Sequence, residues 1–307
     1  MSRPRIAFLG RQPHEKTKSD ALLIDFLEDF ADVTMFRRER LTNKELVKQV
    51  NAIDPDIVVF FQLPPSFSKH LLRLRCKNFV WLPMWDGFRE FSWRKKLFYR
   101  LYDVHIISHC KKIHEYVSSQ GLSSLHVQYF PEPSISEDIP LKGSPPYTFF
   151  LWPRDPEITI DTLVKIVGED SIAKVIYKGD VPKDMAKDYR FDVESVTGWL
   201  ATEDLFAKIR EADFYIAPRF QEGIGYSFIE AMGLGMPILA HDDATMNEYV
   251  VDGVTGNLFS SDFVLNSELI SPKRQHDDII KNCRKGREKW LGDLSAMKTF
   301  ILRDIPS

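Results

Sequence analysis

The chain has 307 residues, more than one typical domain contains, which favours two domains of similar size. Hydrophobic residues make up 44%, charged residues 28%, and the net charge is -3, so the basic excess typical of nucleic-acid-binding proteins is missing. The three cysteines are far apart and form no CxxC pair, which argues against a disulfide framework or a zinc site. There is no signal-peptide pattern and no apolar run of roughly 20 residues, so we expect a cytoplasmic protein.

In the first half of the chain, short apolar runs alternate with segments of helical periodicity. The predicted strands are residues 5–10, 32–37, 56–62, 78–85, 103–109 and 125–130. The predicted helices are residues 19–31, 42–53, 67–75, 91–102 and 111–121. Continuously apolar strands are typical of a parallel sheet with helices on both faces, so we predict a doubly wound α/β domain.

The alternation is interrupted by the proline-rich segment PEPSISEDIPLKGSPP and then resumes. Strands are predicted at 147–154, 173–180, 213–219 and 237–241, and helices at 159–168, 202–212, 227–235 and 276–301. We predict an N-terminal domain over 1–134, a linker over 135–146, a second Rossmann-like domain over 147–275, and a C-terminal helix over 276–307 that packs back on the first domain. Open α/β sheets bind ligands at the carboxyl ends of their strands, so we expect a cleft between the two domains.

The segment PRFQEGIGYSFIEAMGLG lies at such a strand end and suggests a ligand. Gly223 and Gly225 allow close approach of the backbone, and a helix that starts near Tyr226 offers unpaired N–H groups to a phosphate. The carboxylates of Glu222 and Glu230 would repel a phosphate, but they suit the hydroxyls of a sugar and a ribose. Together these features describe a site for a nucleotide-sugar.

Residues 218–240, together with NEYVVDGVTGNLF at 247–259, resemble the donor-binding segment of retaining glycosyltransferases of the GT-B fold, particularly family 4. The resemblance implies two Rossmann-like domains that face each other across a cleft. It implies that Glu222 lies against the donor sugar, that Glu230 binds the ribose, and that Arg154 holds the diphosphate. The other donor-binding residues that it implies are Gly223, Ile224, Gly225 and Tyr226.

Two family features differ in this chain. Ile158 stands where the family has a second diphosphate-binding cation, a lysine, and the glycine-rich N-terminal loop is reduced to Gly10. Arg219 and Lys178, each at the end of a predicted strand, are candidates to replace the missing cation, although Arg219 could equally be a paired surface arginine. Asp86 in MWDGF is either a turn aspartate before glycine or a group near the acceptor hydroxyl.

The resemblance implies transfer of a sugar to an acceptor hydroxyl with retention, on a glycan or lipid-linked acceptor. The acidic segments DPD at 54–56 and HDD at 241–243 are not placed to form a metal site, so we predict no metal or other cofactor. Two alternatives remain open: an epimerase or hydrolase of nucleotide-sugars, and a non-catalytic subunit that binds them. Residues 91–100, FSWRKKLFYR, contain four basic and four aromatic side chains and no acidic one. This composition suits contact with an anionic membrane, and it suits equally a helix that covers the domain with a solvated basic face.

Overall fold

The computed structural model describes residues 3–12, 19–76, 78–134, 142–180 and 189–303. The chain forms two compact units. The first comprises Met1–Gln128 and Leu291–Ser307, and the second comprises Tyr129–Trp290. Residues 135–141, which are part of the predicted linker, lie outside the described ranges.

The first unit contains a parallel sheet of six strands in the order β2-β1-β3-β4-β5-β6. Its strands are β1 (Arg5–Gly10), β2 (Asp32–Arg37), β3 (Ile57–Phe61), β4 (Asn78–Leu82), β5 (His105–Ser108) and β6 (Ser124–His126). Its helices are α1 (Ala21–Glu28), α2 (Asn43–Ala52), α3 (Trp93–Leu101) and α4 (Lys111–Ser119). The inner strands β1 and β3 are almost entirely buried, because helices cover both faces of the sheet.

The helix predicted at 67–75 is a π-helix of five residues, Phe67–Leu71. It stops early because Asn51 on α2 takes over the backbone groups that follow. The Asn51 side chain donates to the carbonyl of Arg73 at 3.0 Å and accepts from the N–H of Arg75 at 2.9 Å. Tertiary hydrogen bonds thus replace the helical ones that the sequence period favoured.

The second unit contains a parallel sheet in the order β12-β11-β10-β7-β8-β9. Its strands are β7 (Tyr147–Leu151), β8 (Ile172–Lys178), β9 (Asp192–Val196), β10 (Phe214–Ile216), β11 (Ile238–His241) and β12 (Gly256–Phe259). Its helices are α5 (Ile160–Val167), α6 (Thr202–Arg210), α7 (Tyr226–Gly233), α8 (Met246–Tyr249) and most of α9 (Pro272–Leu302). The two doubly wound parallel sheets confirm the predicted α/β fold class.

The strand order of the second sheet creates a crevice between β7 and β10. From β7 the chain moves outward through β8 and β9 and then returns to β10 on the opposite side of β7. The loops after β7 and β10 therefore leave the sheet in opposite directions, and open α/β sheets bind ligands at such a point.

The last turns of α9 belong to the first unit. Met297 and Ile301 are buried there, and the imidazole of His105 donates to the carbonyl of Phe300 at 3.3 Å. Arg303 pairs with Asp103 at 2.6 Å. No helix within the described ranges is both long enough and apolar enough to cross a membrane.

Candidate active site

The loops after β7 and β10 are held side by side by one carbonyl. The oxygen of Pro218 accepts hydrogen bonds from the backbone N–H groups of Arg154 at 3.1 Å and Asp155 at 3.2 Å. Arg154 is consequently fixed at the crevice, beside Pro218, which directly precedes the glycine-containing loop 219–225. Its side chain is exposed, and the guanidinium lies over the Trp152 ring at 4.2 Å. It forms no ion pair within the described part of the chain, so its charge remains available to an anion.

The loop 219–225 is fastened to the end of β11. The hydroxyl of the fully buried Thr245 donates towards the carbonyls of Glu222 at 2.8 Å and Gly223 at 3.0 Å. The His241 imidazole donates to the carbonyl of Phe220 at 3.2 Å. These contacts fix the backbone on both sides of Glu222, whose side chain is buried. A loop held in this way presents its groups in one arrangement, as a binding site requires.

Gly225 is the N-cap of α7 and must be a glycine. Its φ is +79°, in the left-handed region, and a Cβ atom at this position would overlap the Phe228 ring. Gly223 and Ile224 are buried beside it, and Tyr226 opens the helix with a half-buried side chain. The first N–H groups of α7 have no acceptor within the helix, so they favour a negatively charged ligand at this end.

Glu230 lies one turn into α7, and its half-buried carboxylate accepts no hydrogen bond from any described residue. Burial raises the pKa of this carboxyl to about 7, while the positive charge of Arg154 acts in the opposite direction. A carboxylate in this state has free acceptor positions for hydroxyl donors.

Tyr215 on β10 connects these groups. Burial raises the pKa of its phenol, Ser227 and the Arg154 guanidinium act to lower it, and the carboxylates of Glu222 and Glu230 raise it further. The Pro218 carbonyl and the Thr245 hydroxyl hold the loops of Arg154 and Glu222, and α7 with Glu230 follows directly, so the three predicted residues lie on elements that meet at the crevice.

Three residues at this site, Trp152, Tyr215 and Thr245, were not predicted from the sequence. A fourth is Tyr129, whose ring lies 5.4 Å from that of Tyr226. Burial raises the pKa of the Tyr129 phenol, Arg287 lowers it and Glu230 raises it, so Tyr129 also borders the site. These residues are ordinary core types in sequence. Thr245 lies in the segment after β11, and only the fold brings its hydroxyl to the carbonyls of Glu222 and Gly223.

Ile158, which stands at the position of the family lysine, and the two candidate replacement cations lie in three different surroundings. Ile158 is buried in the apolar core of the unit, and only 2% of its surface is exposed. The ammonium of Lys178 donates to the carbonyls of Val196, at 3.3 Å, and Gly198, so it holds the edge of the sheet. Arg219 is half-buried and follows Pro218 directly, next to the backbone of Arg154.

Two predicted residues belong to the first unit. Gly10 ends β1 against the ion pair of Arg37 and Asp20, where a Cβ atom would overlap the Arg37 guanidinium. Asp86 is exposed in a short 3-10 turn, Trp85–Gly87, after β4. The described residues contain no group of three or more His, Cys, Asp or Glu side chains that could hold a metal ion.

Known proteins share both the segment at this site and the fold. The family model described as "Glycosyl transferases group 1" matches residues 155–266. The alpha-monoglucosyldiacylglycerol synthase of Streptococcus pneumoniae is 26% identical over 100 residues, which are 31% of this chain and 23% of that protein. The chain therefore matches about a quarter of the length of its curated relatives.

Solved structures match over nearly the whole chain. The lipopolysaccharide outer core galactosyltransferase WaaB superposes with a TM-score of 0.63 at 15% identity, over 98% of this chain and 100% of that one. The resemblance to GT-B glycosyltransferases is confirmed. HepE of Anabaena, solved in complex with UDP-glucose, superposes with a TM-score of 0.55 at 12% identity, over 98% of each chain. The predicted GT-B fold is likewise confirmed.

Proposed function

We propose that this protein is a glycosyltransferase that moves a sugar from a nucleoside diphosphate to an acceptor hydroxyl with retention at the anomeric carbon. The observation that carries the proposal is that the loop of Arg154, the loop of Glu222 and the helix of Glu230 meet at the crevice between β7 and β10. A cation beside the N–H groups at the start of a helix suits a diphosphate, and the two carboxylates suit the sugar and the ribose. The matching segment of group 1 glycosyltransferases, 155–266, contains both glutamates.

In this proposal each group has a defined task. Glu230 accepts hydrogen bonds from the ribose hydroxyls, and Glu222 accepts them from the donor sugar. The bond between the anomeric carbon and the diphosphate breaks, and its electrons remain on the diphosphate oxygen. Arg154 and the amides at Gly223–Gly225 stabilise that charge. The acceptor oxygen bonds to the same face of the anomeric carbon, and its proton passes to the departing diphosphate.

No metal or other cofactor takes part in the proposed reaction, because the leaving charge is met by Arg154, by backbone amides and by a further cation. Arg219 is the candidate for that cation, since it directly follows Pro218, whose carbonyl accepts from the backbone of Arg154. Gly10 and Asp86, at strand ends of the first unit, are proposed to line the donor and the acceptor hydroxyl respectively. The acceptor is proposed to be a glycan or a lipid-linked sugar, and one relative, the alpha-monoglucosyldiacylglycerol synthase, is by name a glycolipid synthase.

The test is a set of nucleotide-sugars, beginning with UDP-glucose, incubated with and without acceptors in the presence of EDTA. We expect nucleoside diphosphate to be released only when an acceptor is present, and NMR of the product to show the anomeric configuration of the donor. Glu203→Gln, an exposed carboxylate on α6, is the control variant and should behave as the wild type. Release of a free or epimerised sugar without an acceptor would support the hydrolase or epimerase alternative. Binding of a donor with no turnover on any acceptor would support a non-catalytic subunit.

A further inference from the structure

Helix α3 in the first unit carries an exposed apolar stripe. Trp93, Leu97 and Leu101 are four residues apart, so they lie one above the other on the helix surface. Their exposed fractions are 70%, 45% and 67%. A row of three large apolar side chains in water is costly for a chain that stays fully solvated, and such patches mark contact surfaces.

The opposite face of α3 accounts for the packing of the helix on the unit. Tyr99 is buried and its hydroxyl donates to the carbonyl of Pro65 at 3.0 Å. The ring of Phe98 stacks on that of Phe67, with the centroids 3.6 Å apart. Lys95 lies over the rings of Phe91 and Tyr99. Most of the aromatic side chains in 91–100 therefore pack inward, and the outer stripe is not needed to hold the helix in place.

Basic side chains flank the stripe. Arg94 lies on one side of it, and Lys96 and Arg100 lie on the other side. Lys96 and Arg100 donate to the neutral Gln120, at 3.1 Å and 2.7 Å, and no carboxylate of the described residues pairs with any of the three. The neighbouring segment 67–75 adds exposed Lys69, Arg73 and Arg75 and contains no acidic residue. In a chain whose net charge is -3, the stripe is thus flanked by three cations, and a segment that packs on α3 through Phe67 contains three more.

We infer that the outer face of α3 docks this protein on the surface of an anionic lipid bilayer. Tryptophan prefers the interface between acyl chains and headgroups, leucines enter the acyl boundary, and flanking cations attract anionic headgroups. A second copy of the chain is a poor occupant, because the two faces would oppose Arg94, Lys96 and Arg100 with the same charges. Docking does not depend on the proposed glycosyl transfer, so each proposal can be contradicted without affecting the other.

The test measures co-sedimentation of the full chain with vesicles of phosphatidylcholine alone or with 30–40% phosphatidylglycerol, a composition of about one anionic lipid in three. We expect binding to the anionic vesicles only, with release at about 0.5 M salt, where the Debye length is about 4 Å. Arg94→Gln combined with Lys96→Gln should lower the partition coefficient by about 30-fold, roughly five-fold for each charge. Trp93→Ala combined with Leu97→Ser should lower it by at least about ten-fold.

Controls separate loss of docking from loss of folding. Trp199→Ser removes an indole that is 65% exposed in the second unit, and it should leave vesicle binding unchanged. Brominated lipids should quench the fluorescence of the wild type more than that of Trp93→Phe, which keeps the fold and removes only the docking indole. Equal binding to neutral vesicles, equal quenching in both chains, or no vesicle binding at all would overturn the inference. Dimerisation that is abolished by Trp93→Ala, without vesicle binding, would assign the face to a second copy instead.

Discussion

The carboxyl of Glu230 has a pKa of about 7, raised by burial, so the group changes charge near neutral pH. Its ionised form has acceptors for both ribose hydroxyls, and we therefore expect nucleoside diphosphate binding to strengthen by about ten-fold between pH 6 and pH 8. The pKa of Glu230 in the folded chain lies above its ordinary value of 4.5, so the unfolded chain loses this proton first. The free energy of unfolding of the ligand-free protein therefore falls as the pH rises from 4.5 to about 7.

Isothermal titration at several pH values tests this expectation. Glu230→Gln keeps the titration of the diphosphate itself but removes that of residue 230, so the difference between the two chains isolates the carboxyl. Parallel pH profiles for wild type and variant would contradict a ribose contact by Glu230.

Glu222 offers a different test, because its proposed partner is the sugar and not the nucleotide. Glu222→Gln keeps the size of this buried side chain while removing its charge. We expect turnover to fall by about 100-fold or more, and the affinity for the free nucleoside diphosphate, which lacks the sugar, to change less than about three-fold. Steady-state kinetics and titration measure the two quantities. Losses of equal size in turnover and in nucleoside diphosphate affinity would contradict a contact between Glu222 and the donor sugar.

At the scale of the element, the start of α7 depends on one backbone conformation. Gly225→Ala places a Cβ atom into the Phe228 ring at a φ of +79°, and we expect a loss of about 2–4 kcal/mol in unfolding free energy. Gly292→Ala is the matched control, since Gly292 lies inside α9 with nothing within 4 Å of the added atom. That control should raise stability by up to about 1 kcal/mol. Thermal unfolding compares the two, and a similar melting temperature for both variants would show that the loop tolerates a side chain.

The loops after β7 and β10 share the Pro218 carbonyl, so Arg219 and Arg154 are anchored to the same point of the backbone. If Arg219 supplies the second cation at the diphosphate, Arg219→Ala should cost activity comparable to Arg154→Ala, on the order of 10- to 100-fold. The preference for nucleoside diphosphate over monophosphate should shrink in both variants. Arg190→Ala, which removes an exposed arginine on the same unit, is the control. An unchanged preference in Arg219→Ala would mean that this arginine pairs elsewhere.

At the scale of the whole molecule, the inner strands and the helices between them could be predicted from the sequence. Buried inner strands are continuously apolar, and the helices that cover them keep a helical period of apolar residues. The edge strands β9 and β12 were not predicted. The β9 segment, DVESV, is half polar, and β12 begins with Gly-Asn and forms a strand only through its register with β11. The same limit applies to the site: the glutamates and glycines of 222–230 carry a sequence signature, whereas Tyr215 and Thr245 acquire their role only through packing.

The shared helix α9 has a consequence for how this protein is made. The first unit needs the buried side chains of Met297 and Ile301, which leave the ribosome after all of the second unit. Chains emerge from the N-terminus at about 5–20 residues per second, so residues 3–128 spend many seconds without this part of their core. We expect limited proteolysis to cut the first unit of chains that end at Trp290 and to spare it in full-length chains; equal protection would contradict this order. Truncated products of interrupted synthesis would then be degraded readily, because without the end of α9 the first unit is exposed to proteases.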